Sequence, residues 1–411
     1  MHKHFRGECT YQPESDIHFP HLTVAQTLDL AAQARPPSKF VAQLDGKGTV
    51  EATRNAVVVA LGLKQTLDTK VGNSFVRGIS GGERKRTSIA EILVGGSPLQ
   101  CWDNSTRGLD SANALQFVQT LRRSTATTGS VAIVTLYQAS QEIYDVFDNV
   151  ALLYEGRQIY FGPIGSAKTY FTNLGFVCPQ RSNTGDFLSS LTNPLERTVI
   201  DGYEFKVPHT PDDFARIWKD SPERKKLTAE IDLYEMAFPL GPKELQDLQN
   251  EPKDRGSSLQ RRSSPYKISY YEQVGLCIIR TIQRLLNDLP PPISSIAGNA
   301  IVSIILGSIF YNMPDDTSSF FGRGVLLFFT ILTNTFLAAF EGVQLWDQRP
   351  IVEKHFQYAF YRPSTEAIAS MLCDLPNKLL LTPKANQPMM RKPLIPSRTT
   401  IEAQLNRVAR E

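Results

Sequence analysis

Several features are scarce or missing in these 411 residues, and each absence excludes something. There is no CxxC pair. The five cysteines, Cys9, Cys101, Cys178, Cys277 and Cys373, are scattered and odd in number, which argues against a disulfide framework or a structural zinc site and for reduced thiols. Neither sign of charge is in excess: 44 basic and 41 acidic residues leave +3, too little for a nucleic-acid surface, and no nucleic acid is expected as a partner. The opening MHKHFRGECT has no apolar core of the kind a cleaved secretory signal needs. No internal repeat is visible. Finally, GxxxxGK(S/T), the loop whose N–H groups cradle nucleotide α- and β-phosphates, occurs nowhere.

What is present changes character along the chain. Residues 1–206 alternate short β-rich runs, such as SVAIVTLY (130–137) and NVALLYEGRQIYFG (149–162), with helical patterns, which predicts an α/β domain. Residues 207–265 are charged and broken, and read as a solvated helix and a flexible linker. In residues 266–289, YKISYYEQVGLCIIRTIQRLLNDL, apolar residues recur at helical spacing with Arg280 and Arg284 opposite. That pattern suits a connecting helix at a membrane surface, and equally an ordinary amphipathic core helix.

Residues 290–381 hold two uncharged runs, Pro290 to Pro314 and Gly324 to Phe340, long enough for a hydrocarbon core of about 30 Å. A third run starts near Ala367 and stops. Asp315 and Asp316 lie between the first two, whereas Arg280, Arg284, Arg349 and Lys354 flank them. The charge bias predicts a hairpin, Ile293 to Met313 and Gly324 to Phe340, with its loop outside and its flanks cytosolic. Residues 382–411 are polar and basic, and read as disordered or foreign to the rest of the fold.

The chemistry concentrates around GISGGERKR (78–86). A serine and two glycines opening a helix offer a hydroxyl and close N–H groups at the positive end of the helix dipole, which suits an anion. Alone, SGG is a turn and a helix start, and Arg84 to Arg86 a solvated helix face. It is followed by SPLQCWDNSTRGLDS (97–111) and the strand VAIVTLYQAS (131–140).

In order and spacing these stretches, with YQPESDIHFPHLTVAQTLDLAAQAR, LYEGRQIYFGP and RPIVEKHFQYAFYRPS, resemble part of a fungal pleiotropic drug resistance transporter, an ABCG-type ABC exporter. The similarity runs from about Phe5 to Leu381 and corresponds to part of the first nucleotide-binding domain and the start of the first membrane domain. It implies an incomplete ABC-type α/β nucleotide-binding domain followed by an α-helical transmembrane segment, with two complete spans and the start of a third. It also implies ATP and Mg²⁺ as cofactors. By the resemblance, Ser80, Gly81 and Gly82, with Glu83 beside them, form the signature loop that touches ATP held by a second nucleotide-binding domain. Asp103 is the Walker B aspartate for Mg²⁺, Asp110 the D-loop aspartate, and Glu14 stands at the Q-loop glutamine, from which a carboxylate would still reach Mg²⁺.

Glu14 in place of glutamine is one of three departures from an active cassette. Asn104 occupies the place of the catalytic glutamate, and an amide cannot take the proton of an attacking water. Tyr137 occupies the place of the switch histidine, so no catalytic residue is intact. Taken singly, Asp103, Asn104 and Asp110 are also ordinary helix caps, and Tyr137 an ordinary half-buried aromatic.

With no Walker A loop, the chain is expected to be a fragment, inactive as an ATPase by itself. It would supply its signature loop to an ATP site completed by another cassette, within an exporter of drugs or other amphipathic compounds. The partners implied are a second nucleotide-binding domain and membrane half, the lipid membrane and a hydrophobic small-molecule substrate. The setting is a multi-pass position in the plasma membrane with the nucleotide-binding part cytosolic. The alternative is an inert or interfering membrane-bound interaction fragment.

Overall fold

The computed structural model describes residues 6–36, 46–137, 139–239, 241, 264–314 and 316–381. It divides into two units, Met1–Leu276 with Arg349–Thr365, and Cys277–Gln348 with the chain from Glu366 onward.

The first unit is built on a sheet of three parallel strands, β1 (Cys9–Gln12), β2 (Leu99–Trp102) and β3 (Val131–Val134), side by side in that order. Alternation sorts their side chains. Thr10, Gln12, Gln100 and Trp102 are buried, while Tyr11, Val131 and Ile133 face outward at 50%, 57% and 56% exposure. Parallel sheets are normally covered on both faces. Among the described residues, this one is open on one face. Helices α1 (Val24–Ala34), α2 (Gly46–Ala60) and α3 (Gly81–Gly95) precede β2, and α1 packs on α3. Helix α4 (Ser111–Thr128) carries the chain from β2 to β3, and α5 (Gln141–Tyr144) follows.

A second part of this unit is the antiparallel hairpin of β4 (Asn149–Tyr154) and β5 (Arg157–Pro163). Its two-residue turn places Glu155 and Gly156 at φ 46° and 78°, the left-handed conformation that suits the twist of a hairpin. Helices α6 (Ile164–Asn173), α7 (Thr184–Ser190) and α8 (Pro211–Asp220) share an aromatic core with it, including Tyr160, Phe171, Phe187, Phe214 and Trp218. Of the stretch expected to be solvated, α8 therefore departs: Phe214 and Trp218 lie one turn apart and are both buried. The next helix, α9 (Pro222–Ala237), has no buried residue. Most of the expected linker beyond it, 242–263, lies outside the described residues.

Helix α10 (Tyr270–Asn287) begins in the first unit and ends in the second. Within the second unit Arg280 pairs with Glu366 in a buried contact, and Arg284 donates to Gln348 at 2.5 Å. Ile279, Ile282 and Leu286 face outward. The basic side of this amphipathic helix is thus the protein side, and the apolar side is the free one. Helix α11 (Pro290–Ile309) is long and apolar enough to cross a membrane, with a mean hydropathy of 1.6. A shorter apolar helical stretch, Thr317–Thr333, runs into α12 (Phe320–Gln357), which contains Pro350; α13 (Pro363–Leu381) closes the described chain. Ile304 and Ile331 are 71% and 66% exposed, as side chains that await lipid or further helices would be. This is a helical membrane-type region after an α/β domain. Asp315 and the tail 382–411 lie outside the described residues.

Candidate nucleotide site

Parallel strands in open α/β sheets bring ligands to their carboxyl ends. Here Glu14 follows β1, Asp103 follows β2 and Thr135 follows β3, so residues far apart in sequence meet at one edge. Asp103 is central: its Oδ2 accepts from the Tyr11 hydroxyl at 2.6 Å and its Oδ1 from Thr135 Oγ1 at 3.0 Å. The Tyr11 bond first, then that of Thr135, holds this carboxyl below the ordinary carboxylate range, and the same contact raises the Tyr11 phenol. The Asn104 N–H donates to Thr135 Oγ1 at 2.8 Å. Asn104 has φ 48°, a conformation that asparagine tolerates better than most residues, and its buried side-chain oxygen has no hydrogen-bond partner.

Glu14 is placed differently from the expectation of a free metal-directed carboxylate. It is paired with Arg107, and its carbonyl accepts from Lys85 Nζ at 2.6 Å. Lys85 also meets Asp16 at 3.4 Å and is 4% exposed. The basic run is therefore not a solvated face: Lys85 is buried against the loop after β1, Arg86 donates to Asn113 Oδ1 of α4 at 2.5 Å, and the Nε atoms of Arg84 and Arg86 are buried without a partner. Tyr137 is exposed just beyond β3.

Ser80 caps α3 through a reciprocal box. Its Oγ accepts from the Glu83 N–H at 3.3 Å, and the Glu83 carboxylate accepts from the Ser80 N–H and hydroxyl, each at 2.8 Å. The backbone bond, then the hydroxyl bond, holds the Glu83 carboxyl below its ordinary value. Neither glycine is demanded by its surroundings. A Cβ at Gly81 would meet nothing within 4 Å, and one at Gly82 only the Gly108 carbonyl oxygen, at an ordinary 3.7 Å. Glycine in a helix costs about 1 kcal/mol relative to alanine, so the fold alone gives no reason for the pair. Asp110 occupies the N-cap position of α4, but its carboxylate accepts from the side-chain amide of Asn113 in that helix instead of closing a cap on its backbone, and that bond holds it below its usual range.

Tyr11, Thr135, Arg107 and Lys85 are absent from the residues that sequence reasoning selects. For Tyr11 the signal is strand register, which sets it opposite Cys101 and so on the same face as Asp103, two residues on. Among the described residues no group of three or more His, Cys, Asp or Glu could hold a metal ion. One carboxylate, Asp103, fits a Mg²⁺ that arrives on nucleotide phosphates rather than a caged one.

A family model described as "ABC transporter" matches residues 1–107, and two described as "ABC-2 type transporter" match 137–202 and 272–382. ABC multidrug transporter C of Aspergillus fumigatus is 54% identical over 379 residues, which is 92% of this chain and 25% of that protein. The chain belongs to the ABC transporter family. Within that family it is also 53% identical to ABC multidrug transporter atrH of Aspergillus oryzae, over 92% of this chain and 26% of the relative. ABC-type transporter oblD of Cochliobolus heterostrophus is 51% identical over 92% of this chain and 25% of its own length. The first two are named multidrug transporters, consistent with the pleiotropic drug resistance branch, and the chain spans about a quarter of the length of all three. A solved structure, "Structure of ATP binding subunit of ABC transporter", aligns at TM-score 0.36 and 19% identity over 46% of this chain and 69% of that one. An ABC nucleotide-binding domain implies nucleotide binding, and the ABC-2 match implies a membrane protein.

Proposed function

We propose that this chain acts within an ATP-driven exporter of drugs or other amphipathic compounds, where its Ser80–Glu83 turn meets ATP held by another cassette. The observation that carries this reading is the uncrowded glycine pair at the start of the 15-residue helix α3. Bare N–H groups at the positive end of a helix dipole suit a phosphate, and a side chain there would obstruct only an incoming group. Asp110, beside Asn113 and Arg86, would face the same partner cassette. At this chain's own strand ends, Asp103 would hold Mg²⁺ brought by ATP. ATP supplies the transferable phosphoryl group when bound, but Asn104 offers no base for water and Glu14 is tied to Arg107.

The exposed apolar helices and the flanking charges support the two-span hairpin, Ile293 to Met313 and Gly324 to Phe340, with a third span beginning near Ala367. The corresponding division is a cassette in 1–206, a linker in 207–265, a connecting helix in 266–289, a membrane part in 290–381 and a polar tail in 382–411. The cassette faces the cytosol at the plasma membrane. Its partners are a second cassette, a second membrane half, lipid and an apolar substrate, a class supported by the relatives' multidrug names.

A second reading, an interaction fragment with no activity of its own, is favoured by the open sheet face with Tyr11, Val131 and Ile133 outward. One comparison separates the two. The chain alone should hydrolyse no ATP above background, whereas the chain joined in frame to the rest of a fungal relative should hydrolyse ATP and export a lipophilic dye. Turnover of even about 1 s⁻¹ by the chain alone contradicts the proposal. A joined protein that inserts correctly and stays inactive favours the second reading.

A further inference from the structure

A buried polar network in the first unit lies along one side of α3. Glu91 is fully buried. Its Oε2 accepts from Lys354 Nζ at 2.7 Å and its Oε1 from His355 Nε2 at 2.9 Å. The remaining donors of Lys354 go to the Ile17 carbonyl at 2.7 Å and to His18 Nδ1 at 3.4 Å, so all three ammonium hydrogens are spent. With Nδ1 accepting, His18 is the neutral tautomer that donates from Nε2 to Ser88 Oγ, 2.7 Å away. His355 donates from Nε2 to Glu91, and its Nδ1 meets the Tyr361 hydroxyl at 2.8 Å. The Lys354 ammonium, the Glu91 carboxylate and both rings are hydrogen-bonded throughout, the condition under which a buried ion pair is tolerated.

The placement of the cluster gives it a role. Ser88, Glu91 and Gly95 lie along one side of α3, and Arg35 completes the grip by donating to the Gly95 carbonyl at 3.0 Å. Eleven residues separate Glu91 from Ser80, a rod of about 16 Å. Lys354 and His355 are in the last turn of α12, beyond Pro350, where the missing N–H weakens the helix and the chain passes from one unit to the other.

We propose that Glu91 is a positioning residue for the Ser80–Glu83 turn. By taking Lys354 and His355 it makes the orientation of α3, and so of that turn, depend on where the end of α12 sits. The consequence rests on the reading of that turn as the part that faces ATP, but the link itself can be measured without nucleotide. Amide hydrogen exchange on the full chain in lipid nanodiscs reads it directly, with the β4–β5 hairpin as internal control. Glu91→Gln leaves the Lys354 ammonium buried without its anion, and should raise exchange at Glu83 to Ser88, the first hydrogen-bonded amides after the glycines, about a hundredfold while the hairpin changes less than about twofold. Lys354→Met should act in the same direction, and serves if Glu91→Gln does not fold. His355→Gln retains a donor for Glu91 and should stay within about threefold of the parent, whereas His355→Leu should not.

Two results overturn the proposal. In one, the variants speed exchange equally in the turn and in the hairpin, which means a core ion pair that supports the fold and positions nothing. In the other, exchange at Glu83 to Ser88 is unchanged although Lys354 or Glu91 has been replaced. Neither result bears on whether the turn meets ATP, so this link and that reading can fail separately.

Discussion

A buried histidine held neutral is a liability in acid. Burial first, and the Lys354 charge second, push the His18 pKa down to about 3 against the opposing pull of Glu91. In the unfolded chain the same ring titrates near 6.5. Between those values the unfolded state binds a proton that the folded state refuses, so stability is complete above about pH 6.5 and falls as pH drops, by up to about 1.4 kcal/mol per pH unit. Burial alone would raise the Glu91 carboxyl, but Lys354 and the His355 bond outweigh that and hold it well below its usual range. Its contribution is likewise lost in acid, at lower pH. We expect denaturant unfolding of the chain to show a loss from pH 7 to pH 5 that is about 1–2 kcal/mol larger in the parent than in His18→Gln. Equal losses would contradict this account of His18. At this scale the sequence exposes motif residues but not their neighbours. Ser80 to Glu83, Asp103 and Asn104 are legible because each lies in a contiguous pattern. Tyr11, Thr135 and Arg107 become visible only when strands and loops distant in sequence are set side by side.

Elements are legible where a local signal decides them. The capping box of Ser80 and Glu83 marks the start of α3, and the glycine at 156 marks the break between β4 and β5. That turn also carries a testable cost. Glu155 is held at φ 46°, a conformation that costs most L-residues about 1 kcal/mol and asparagine less. We expect Glu155→Asn to stabilise the hairpin by about 0.5–1 kcal/mol, seen as a rise in its unfolding midpoint; a fall would show that the glutamate side chain matters more than the backbone. Elements are illegible where periodicity cannot say what lies opposite a face. The α10 pattern is amphipathic in either reading, and only packing shows that Arg280 faces Glu366 while Ile279 and Ile282 stay outside. Phe214 and Trp218 are likewise hidden in a stretch whose charge suggests solvent, because two aromatic residues one turn apart suffice to bury one side of α8.

For the whole molecule the central claim is that the Ser80–Glu83 turn serves an ATP site completed by another cassette. The fold makes Gly82→Asp a discriminating variant. The position has room for a side chain, and an acidic residue in the first turn of a helix is favourable to that helix. A turn that only starts α3 should therefore tolerate the change, whereas a turn that meets a phosphate should not. The measurement is ATP hydrolysis by the joined transporter carrying Gly82→Asp, with expression and membrane insertion confirmed and Asn104→Glu as the companion variant. The account predicts that Gly82→Asp abolishes hydrolysis, while Asn104→Glu changes it by less than about threefold because Tyr137 and the Glu14–Arg107 pair still disable that site. Hydrolysis at the parent rate in the Gly82→Asp protein would contradict it.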